Sequence, residues 1–450
     1  MVEQAKTLLN ILLKRGFEAY FIGGKCRNDL HNQYHEIKMG VKDIDIVTNA
    51  TVDDLKSIFP NCNIRGESFQ VVAVIFGGEE FEVATYRRDI YNFKKSKNGK
   101  EKIEKPETVI AKTLDEDRER RDFTINAITQ DVNGIYLDYI YAYRNKKISA
   151  MNDIKNKIIR SIGNPKQRFE EDPLRILRAF RFMSQLGYEI EKNTIAAIAS
   201  NIKLLELVPH ERIGMEMNKL IAGNFVHVTL TLMKEMGFFE LNIKNTIDGP
   251  QTFLPDFNKI SDEHLQKITL LNLKSDSNLT PLEIWAFMFQ PLGSKVAKKN
   301  LESFRPLNNN EIEKVEWLIN NYNLVDSQDI KMSIYNARTG IVKRYKLSCM
   351  KELLISLSKI HAKLNKEKYG KTKKELLNAF CSRPYFEEQL KVKGEQLIEL
   401  AGEKEGPWIS KVKERILLNI IKEDKYPRDQ KRYDEIVRNS IDEILFMKQK

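Results

Sequence analysis

The 450-residue sequence carries 74 Lys and Arg against 63 Asp and Glu, a formal charge of +11 at pH 7, with 42% hydrophobic residues. Such a length leaves room for about three domains, and the basic excess favours a polyanionic partner, although composition drift alone also produces basic chains. No apolar run approaches the roughly 18 residues of a membrane span, and four scattered cysteines without a CxxC pair argue against a zinc ribbon or a redox dithiol and fit a reducing cytoplasm.

Along the chain, MVEQAKTLLNILLKRG spaces its apolar residues as an amphipathic helix does and lacks the cleavage site of a signal peptide. GFEAYFIGG predicts a short strand that ends at Gly23 and Gly24, before a helix. Backbone N–H groups at such a turn can approach phosphates, and Arg27 can add charge; an ordinary strand-to-helix turn would look the same. In KDIDIVT an extended strand turns Asp43 and Asp45 to one side and Ile44 and Ile46 to the core. Two carboxylates so close call for a compensating cation. Mg²⁺ suits them, because it takes oxygen ligands and binds through one or two carboxylates plus substrate phosphates. A pair of such ions can activate a hydroxyl and stabilise a leaving pyrophosphate. The competing reading is a solvent-facing DxD on an edge strand.

FQVVAVIF, GGEE and FEVATYR together predict a hairpin. Glu82 on its second strand is either a third metal carboxylate or an exposed strand residue. KKSKNGKEKIEK at 94–105 is the most Lys-rich stretch of this part and predicts a mobile loop. From about residue 150 the spacing is helical, as in PLRILRAFRFMSQLG, TIAAIASNIKLLELV and GEQLIELAG, with turn signals such as the asparagines at 308–310 between segments. In EEDPLRILRAFRF the proline opens a helix, and Asp172, Arg175, Arg178 and Arg181 recur every three residues along one side. A surface laced with Glu–Arg pairs, each worth only a few tenths of a kcal/mol, would give the same pattern. The chain therefore predicts an α+β head joined to a long helical remainder.

Taken in order over roughly residues 20 to 220, the double glycine, Arg27, DIDIVT, EVATYR, RRDFTINAI, EDPLRILRAFRF and ERI resemble the class II CCA-adding tRNA nucleotidyltransferases, with bacterial poly(A) polymerases as near relatives. KGEQLIELAGEKEGPWISKVKERILLNII resembles the tail of the bacterial CCA-adding enzymes. The resemblance implies a polymerase-β-type nucleotidyltransferase head at 1–140, followed by an all-helical neck at 141–222, body at 223–330 and tRNA-binding tail at 331–450. It implies addition of CCA to the tRNA 3′ end from CTP and ATP, without a nucleic-acid template and with two-metal-ion catalysis.

Carried onto this sequence, the family's roles give Asp43 and Asp45 the Mg²⁺ ions, and give Gly24 and Arg27 the triphosphate. Arg121 and Asp122 would contact the nucleotide, Asp122 through the ribose hydroxyls. Asp172 and Arg175 would read the Watson–Crick edge of the base, with Arg178 and Arg181 on the same nucleotide-binding helix. A carboxylate accepts from an exocyclic amine and a guanidinium donates to a ring nitrogen or carbonyl, which favours C and A over U and G.

Two departures stand out. Asn28 follows Arg27 where the family has aspartate, leaving Asp29 as the candidate replacement, and LDYIYAYRNKKISAMNDI stands where the family has a glycine-rich stretch. Arg88 to Leu114 is long and polar, whereas CC-only relatives have a shortened loop there; this favours complete CCA addition over CC-adding, A-adding or poly(A) activity. The absence of a His-Asp dipeptide predicts that the phosphohydrolase domain of some relatives is missing. A non-catalytic scaffold would have lost the aspartate pair or RRD, and an antibiotic-modifying transferase would need no long helical body.

Overall fold

The computed structural model describes the whole chain except residues 37, 41–42, 66–70, 91–92, 96–100, 104–106, 143–145, 246–248, 255, 274–278, 339–345, 370–371, 424–426, 428 and 446–450. It divides into two compact units, one of Met1–Leu220 with Val228–Gln251 and the other of Ile221–His227 with Thr252–Lys450.

The first unit opens with helix α1 (Val2–Lys14), whose Ala5, Leu8, Leu9 and Leu12 form one buried stripe because residues three and four apart share a helix face. Strand β1 (Ala19–Ile22) leads through Gly23 into α2 (Gly24–Tyr34), and β2 (Asp45–Thr48) and α3 (Val52–Ile58) follow. Then come β3 (Cys62–Ile64), β4 (Val71–Phe76) and β5 (Glu79–Thr85). The expected hairpin is β4–β5, closed by Gly77 and Gly78 at φ of 61° and 83°. Two consecutive positive φ values are what a two-residue turn of this twist needs, and glycine alone adopts them without strain.

Next lie β6 (Arg87–Ile90), β7 (Phe93–Lys95), β8 (Glu101–Ile103), β9 (Glu107–Ile110) and α4 (Leu114–Glu119). The pairs β6–β9 and β7–β8 are antiparallel, so the Lys-rich stretch expected as a loop contains a short ladder; the rest of that stretch lies outside the described residues. Strands β10 (Thr129–Gln130) and β11 (Tyr136–Leu137) complete a seven-stranded sheet of order β11-β10-β1-β2-β5-β4-β3. Strand β2 is thus interior, antiparallel to β1 and parallel to β5, which removes the edge-strand reading of the aspartate pair. Ile22, Ile46, Val47, Val72 and Val83 are 0–1% exposed and form the core of the sheet.

Strands β12 (Tyr139–Ala142) and β13 (Lys146–Ser149) pair antiparallel where the family's glycine-rich stretch is missing. Helices follow: α5 (Ala150–Lys155), α6 (Pro165–Glu171), α7 (Leu174–Leu186), α8 (Lys192–Asn201), α9 (His210–Ile221) and α10 (Val226–Glu235). Small strand pairs interrupt them, β14 (Ile158–Ile159) with β15 (Glu189–Ile190) and β16 (Asn242–Asn245) with β17 (Gly249–Thr252), so the remainder is not purely helical as expected. Segments of two to four residues carry too little periodicity to be read from sequence.

The second unit holds α11 (Asp262–Leu273), α12 (Pro281–Phe289), α13 (Ser294–Phe304), α14 (Asn309–Asn320), α15 (Ile330–Ala337), α16 (Lys346–Leu364), α17 (Lys366–Tyr369), α18 (Thr372–Cys381), α19 (Gly394–Ala401), α20 (Trp408–Lys422) and α21 (Gln430–Leu445). The asparagine turn signal proves to be a helix start. Asn308 accepts from the Glu311 N–H and Glu311 accepts from the Asn308 N–H, closing a reciprocal cap on α14. Among the described residues no helix is long and apolar enough to cross a membrane.

Phe304 is fully buried, with ring centroids 5.0 Å from Phe253 and 5.5 Å from Trp285, edge-on to both. Phe304→Ala should therefore cost about 3–5 kcal/mol through lost transfer energy and a cavity. All three tryptophans lie in this unit, so urea denaturation followed by tryptophan fluorescence reads its loss directly.

Candidate active site

Asp45 opens β2 opposite Ile22 of β1, and the residue after Ile22 is Gly23 at φ 75°. A Cβ on Gly23 would sit 2.9 Å from Asp45 Oδ2. Glycine is thus required twice there, by its backbone angle and by the approach of the carboxylate. The same turn starts α2, so the N–H groups of the helix's first turn lie next to the aspartate.

Asp43 precedes the strand and is exposed, Ile44 is buried, Asp45 is half-buried and Ile46 is buried, the alternation expected of an extended chain. Burial pushes the Asp45 carboxyl above its ordinary range; nearby Glu82 and Asp43 push the same way, while Arg121 opposes them. Such a carboxylate favours a cation. Glu82 is the cross-strand partner of Asp45, but its Oε1 accepts from Arg65 Nη1 at 3.0 Å. Among the described residues no set of three His, Cys, Asp or Glu side chains is arranged to hold a metal ion.

Arg27, in the first turn of α2, donates from Nη1 to Asn126 Oδ1 at 2.6 Å and from Nε to Asn28 Oδ1 at 3.1 Å. Its guanidinium also lies over the Phe182 ring. Burial, and next the neighbouring Arg181, lower its pKa to about 10, which leaves it charged at neutral pH. Asn28 additionally donates from Nδ2 to the Gly40 carbonyl at 2.9 Å, a bond no ionised aspartate could make. Asp29, the candidate replacement, pairs its carboxylate with Lys25 at 3.1 Å.

The RRD segment is shaped by Asp117, a fully buried residue of α4 that the motif reading overlooked. Asp117 accepts from Arg120 Nη2 at 2.7 Å, Arg121 Nη2 at 3.1 Å and the Arg87 N–H at 3.2 Å. Its signal in the sequence is the spacing of three and four residues to the two arginines. Asp122 is 7% exposed; Oδ1 accepts from the Phe123 N–H at 2.8 Å and from Asn126 Nδ2 at 3.1 Å, and Oδ2 from Arg178 Nε at 2.7 Å. Burial opposes ionisation of Asp122, but Arg178 and the hydrogen bonds of Asn126 and Arg178 outweigh it, so its carboxyl stays well below the usual range. Asn126 thereby bridges Arg27 and Asp122, and nothing in its sequence context singled it out.

Pro173 opens a helix as expected, but Asp172 lies ahead of that helix, at a junction, and not along its side. Helix α6 ends at Glu171, Asp172 is extended at φ −142°, and Pro173 caps α7. Asp172 Oδ1 accepts from the Leu174 N–H at 3.2 Å, and Oδ2 lies 3.5 Å from Arg212 Nη2. Nor do the three arginines share one side. A step of three residues turns a helix by about 300°, so successive arginines drift about 60° around its axis. Arg175 reaches Glu171 Oε2 at 3.1 Å and the Arg120 carbonyl at 3.2 Å, Arg178 reaches Asp122, and Arg181 reaches Glu216 Oε2 at 3.1 Å. Arg168, also absent from the reading, donates to the Arg121 carbonyl at 3.1 Å. The ion pairs of the competing reading exist, but inside the protein. Asp45 approaches Gly23 at the start of α2, Arg27 reaches Asp122 through Asn126, and Asp122 reaches Arg178; Arg175 and Arg181 lie on α7, with Asp172 just ahead of it.

A family model described as "Poly A polymerase head domain" matches residues 19–160, and one described as "Probable RNA and SrmB- binding site of polymerase A" matches 187–246. The Staphylococcus epidermidis CCA-adding enzyme is 28% identical over 93% of each chain. The Bacillus licheniformis CCA-adding enzyme is 37% identical over 53% of this chain and 54% of its own. A Bacillus stearothermophilus CCA-adding enzyme in complex with CTP shares the fold, with a TM-score of 0.70 over 97% of both chains at 24% identity.

Asp122→Asn should lower stability at neutral pH by about 3 kcal/mol, the lower end for breaking a buried pair because the Arg178 side chain is 33% exposed. The folded carboxyl titrates below its unfolded value of about 3.9, so its contribution is full above that pH and is lost as pH falls below it. Urea denaturation followed by circular dichroism from pH 7 to pH 3 should show a constant gap between wild type and variant down to about pH 4 and the start of its narrowing below that.

Proposed function

The chain belongs to the family of CCA-adding tRNA nucleotidyltransferases and bacterial poly(A) polymerases, and from that premise we propose that it completes the CCA sequence at tRNA 3′ ends from CTP and ATP. One observation carries the reading: Gly23 touches Asp45, and the helix that starts there delivers Arg27 into the chain of contacts Arg27–Asn126–Asp122–Arg178. These contacts support a site in which carboxylates for metal, a phosphate-binding helix start and nucleotide-binding arginines would act together.

In the proposed reaction the terminal ribose hydroxyl oxygen of tRNA bonds to the α-phosphorus of the nucleotide. The bond from that phosphorus to the oxygen bridging to the β-phosphate breaks, and pyrophosphate leaves. Asp43 and Asp45 would hold divalent cations, here proposed to be Mg²⁺, which supply the positive charge that activates the hydroxyl and stabilises the leaving group. The first N–H groups of α2 at Gly24, with Arg27, would bind the triphosphate. Arg121 and Asp122 would position the nucleotide, Asp122 also by fixing Arg178. Asp172 would accept the exocyclic amine shared by cytosine and adenine, while Arg175 donates to the ring edge; UTP and GTP offer a carbonyl where Asp172 needs a donor. The positive balance of +11 suits tRNA, gripped through shape and phosphates by a neck at 141–222, a body at 223–330 and a tail at 331–450 behind the head at 1–140. The polar segment Arg88–Leu114 is the reason to propose full CCA addition, and the cytoplasm is the proposed location, in keeping with four scattered cysteines.

Incubation with CTP, ATP and tRNA lacking its 3′ end should give products three nucleotides longer that then stop. Long A tails, CC alone or A alone would select a different activity. Asp43→Ala and Asp45→Ala should each lower transfer by at least about a hundredfold while tRNA binding in a filter assay changes little; retained transfer would remove the metal assignment. Asp172→Ala and Arg175→Ala should lower the preference for CTP over UTP by about ten- to a hundredfold, with tRNA affinity nearly unchanged.

A further inference from the structure

Helices α7 and α9 run side by side in the same direction, and their contacts climb both together. Asp172 meets Arg212 just before α7, Arg181 meets Glu216, Gln185 donates to the Lys219 carbonyl and Ser184 to the Leu220 carbonyl at 2.6 Å. Glu216 is 6% exposed and anchors α9 from within through its ion pair with Arg181. Arg212 lies four residues before Glu216, on the same face of α9. The buried anchor therefore sets the phase of the helix and carries the Arg212 side chain to Asp172.

The two oxygens of Asp172 have different duties. Oδ1 is committed to the Leu174 N–H at the start of α7, whereas Oδ2 has Arg212 Nη2 at 3.5 Å and is the oxygen left to face a ligand. From this geometry we infer that Arg212 is a specificity-determining positioning residue: it aims Asp172 Oδ2, so that the carboxylate is placed to accept from a base amine and not to meet a base carbonyl. This rests on the proposed base-reading role of Asp172. With the Leu174 N–H on Oδ1 and the guanidinium beside Oδ2, the two contacts together disfavour rotation of the carboxylate about its Cβ–Cγ bond. Arg212 is 48% exposed and Asp172 29%, so this pair faces solvent, whereas the Arg181–Glu216 pair and the Ser184 bond to Leu220 are internal.

The test measures kcat/KM for CTP and UTP on tRNA lacking its 3′ end, using the full chain and the variants Arg212→Ala, Arg212→Lys, Asp172→Ala and the double variant of Arg212→Ala with Asp172→Ala. Arg212→Ala should lower the CTP-to-UTP ratio by about three- to fivefold, the size of a half-exposed ion pair, and Arg212→Lys should recover part of it. In the Asp172→Ala background the Arg212 change should have no further effect on the ratio, while thermal unfolding of Arg212→Ala stays close to wild type. If Asp172→Ala relaxes base choice and Arg212→Ala does not, the role of Arg212 is overturned and that of Asp172 stands. A ratio unmoved by Asp172→Ala overturns the base-reading assignment and the Arg212 role with it. An equal loss of CTP and UTP use in Arg212→Ala marks a purely structural arginine and also overturns the inference.

Discussion

Everything in the site hangs on one buried charge. Asp122 lies almost wholly inside the protein, and an ionised carboxylate there is tolerable only if its oxygens are hydrogen-bonded and a cation stands close. Asn126, the Phe123 N–H and Arg178 meet that demand together. Because Arg178 belongs to α7 and Asn126 also accepts from Arg27 of α2, satisfying one carboxylate joins the helix behind the glycine turn to the helix beside Asp172. A second buried acid, Asp117, does the same for the two arginines of RRD.

Basic residues in this chain consequently do two different jobs. The formal excess of +11 describes the whole sequence, but Arg175, Arg178 and Arg181 are spent on Glu171, Asp122 and Glu216 within the protein, where they organise the site rather than advertise charge to a distant polyanion. Arginine suits this role, since its planar fork can serve a carboxylate and a backbone carbonyl at once, as Arg175 does with Glu171 and Arg120. The aspartate pair obeys the opposite logic. Asp43 stays exposed, and Asp45 is pushed toward protonation by burial and by neighbouring Glu82 and Asp43, against the opposing charges of Arg121 and Arg27.

Local physics made much of the head legible in advance. The alternation around DIDIVT, the glycine pair between two apolar runs and the apolar stripe of the first helix each follow from periods of two or of about 3.6 residues, which a sequence displays openly. Other elements left no such trace. The parallel pair β14–β15 joins residues some thirty positions apart over two residues each, and the ladder within the Lys-rich stretch has a composition that suggests no strand at all. Asp172, expected along the side of the helix that Pro173 opens, lies ahead of it because proline disfavours helical geometry in the residue before it, so Asp172 takes an extended backbone.

The sequence by itself determined the chemistry on offer: two aspartates one residue apart on a strand, glycines at a helix start, and an ordered series of arginines and acids whose succession resembles one enzyme family. Only the tertiary structure decided what each group does with its charge. It made Asn126 the bridge between Arg27 and Asp122, turned Asn28 into a tie to Gly40, withdrew Asp29 to Lys25, gave Glu82 to Arg65 and brought Arg212 to Asp172. The reason is physical. Periodicity tells which face a side chain occupies, but the partner of a buried or half-buried charge is set by desolvation and distance among residues far apart in the chain, and no local pattern records that.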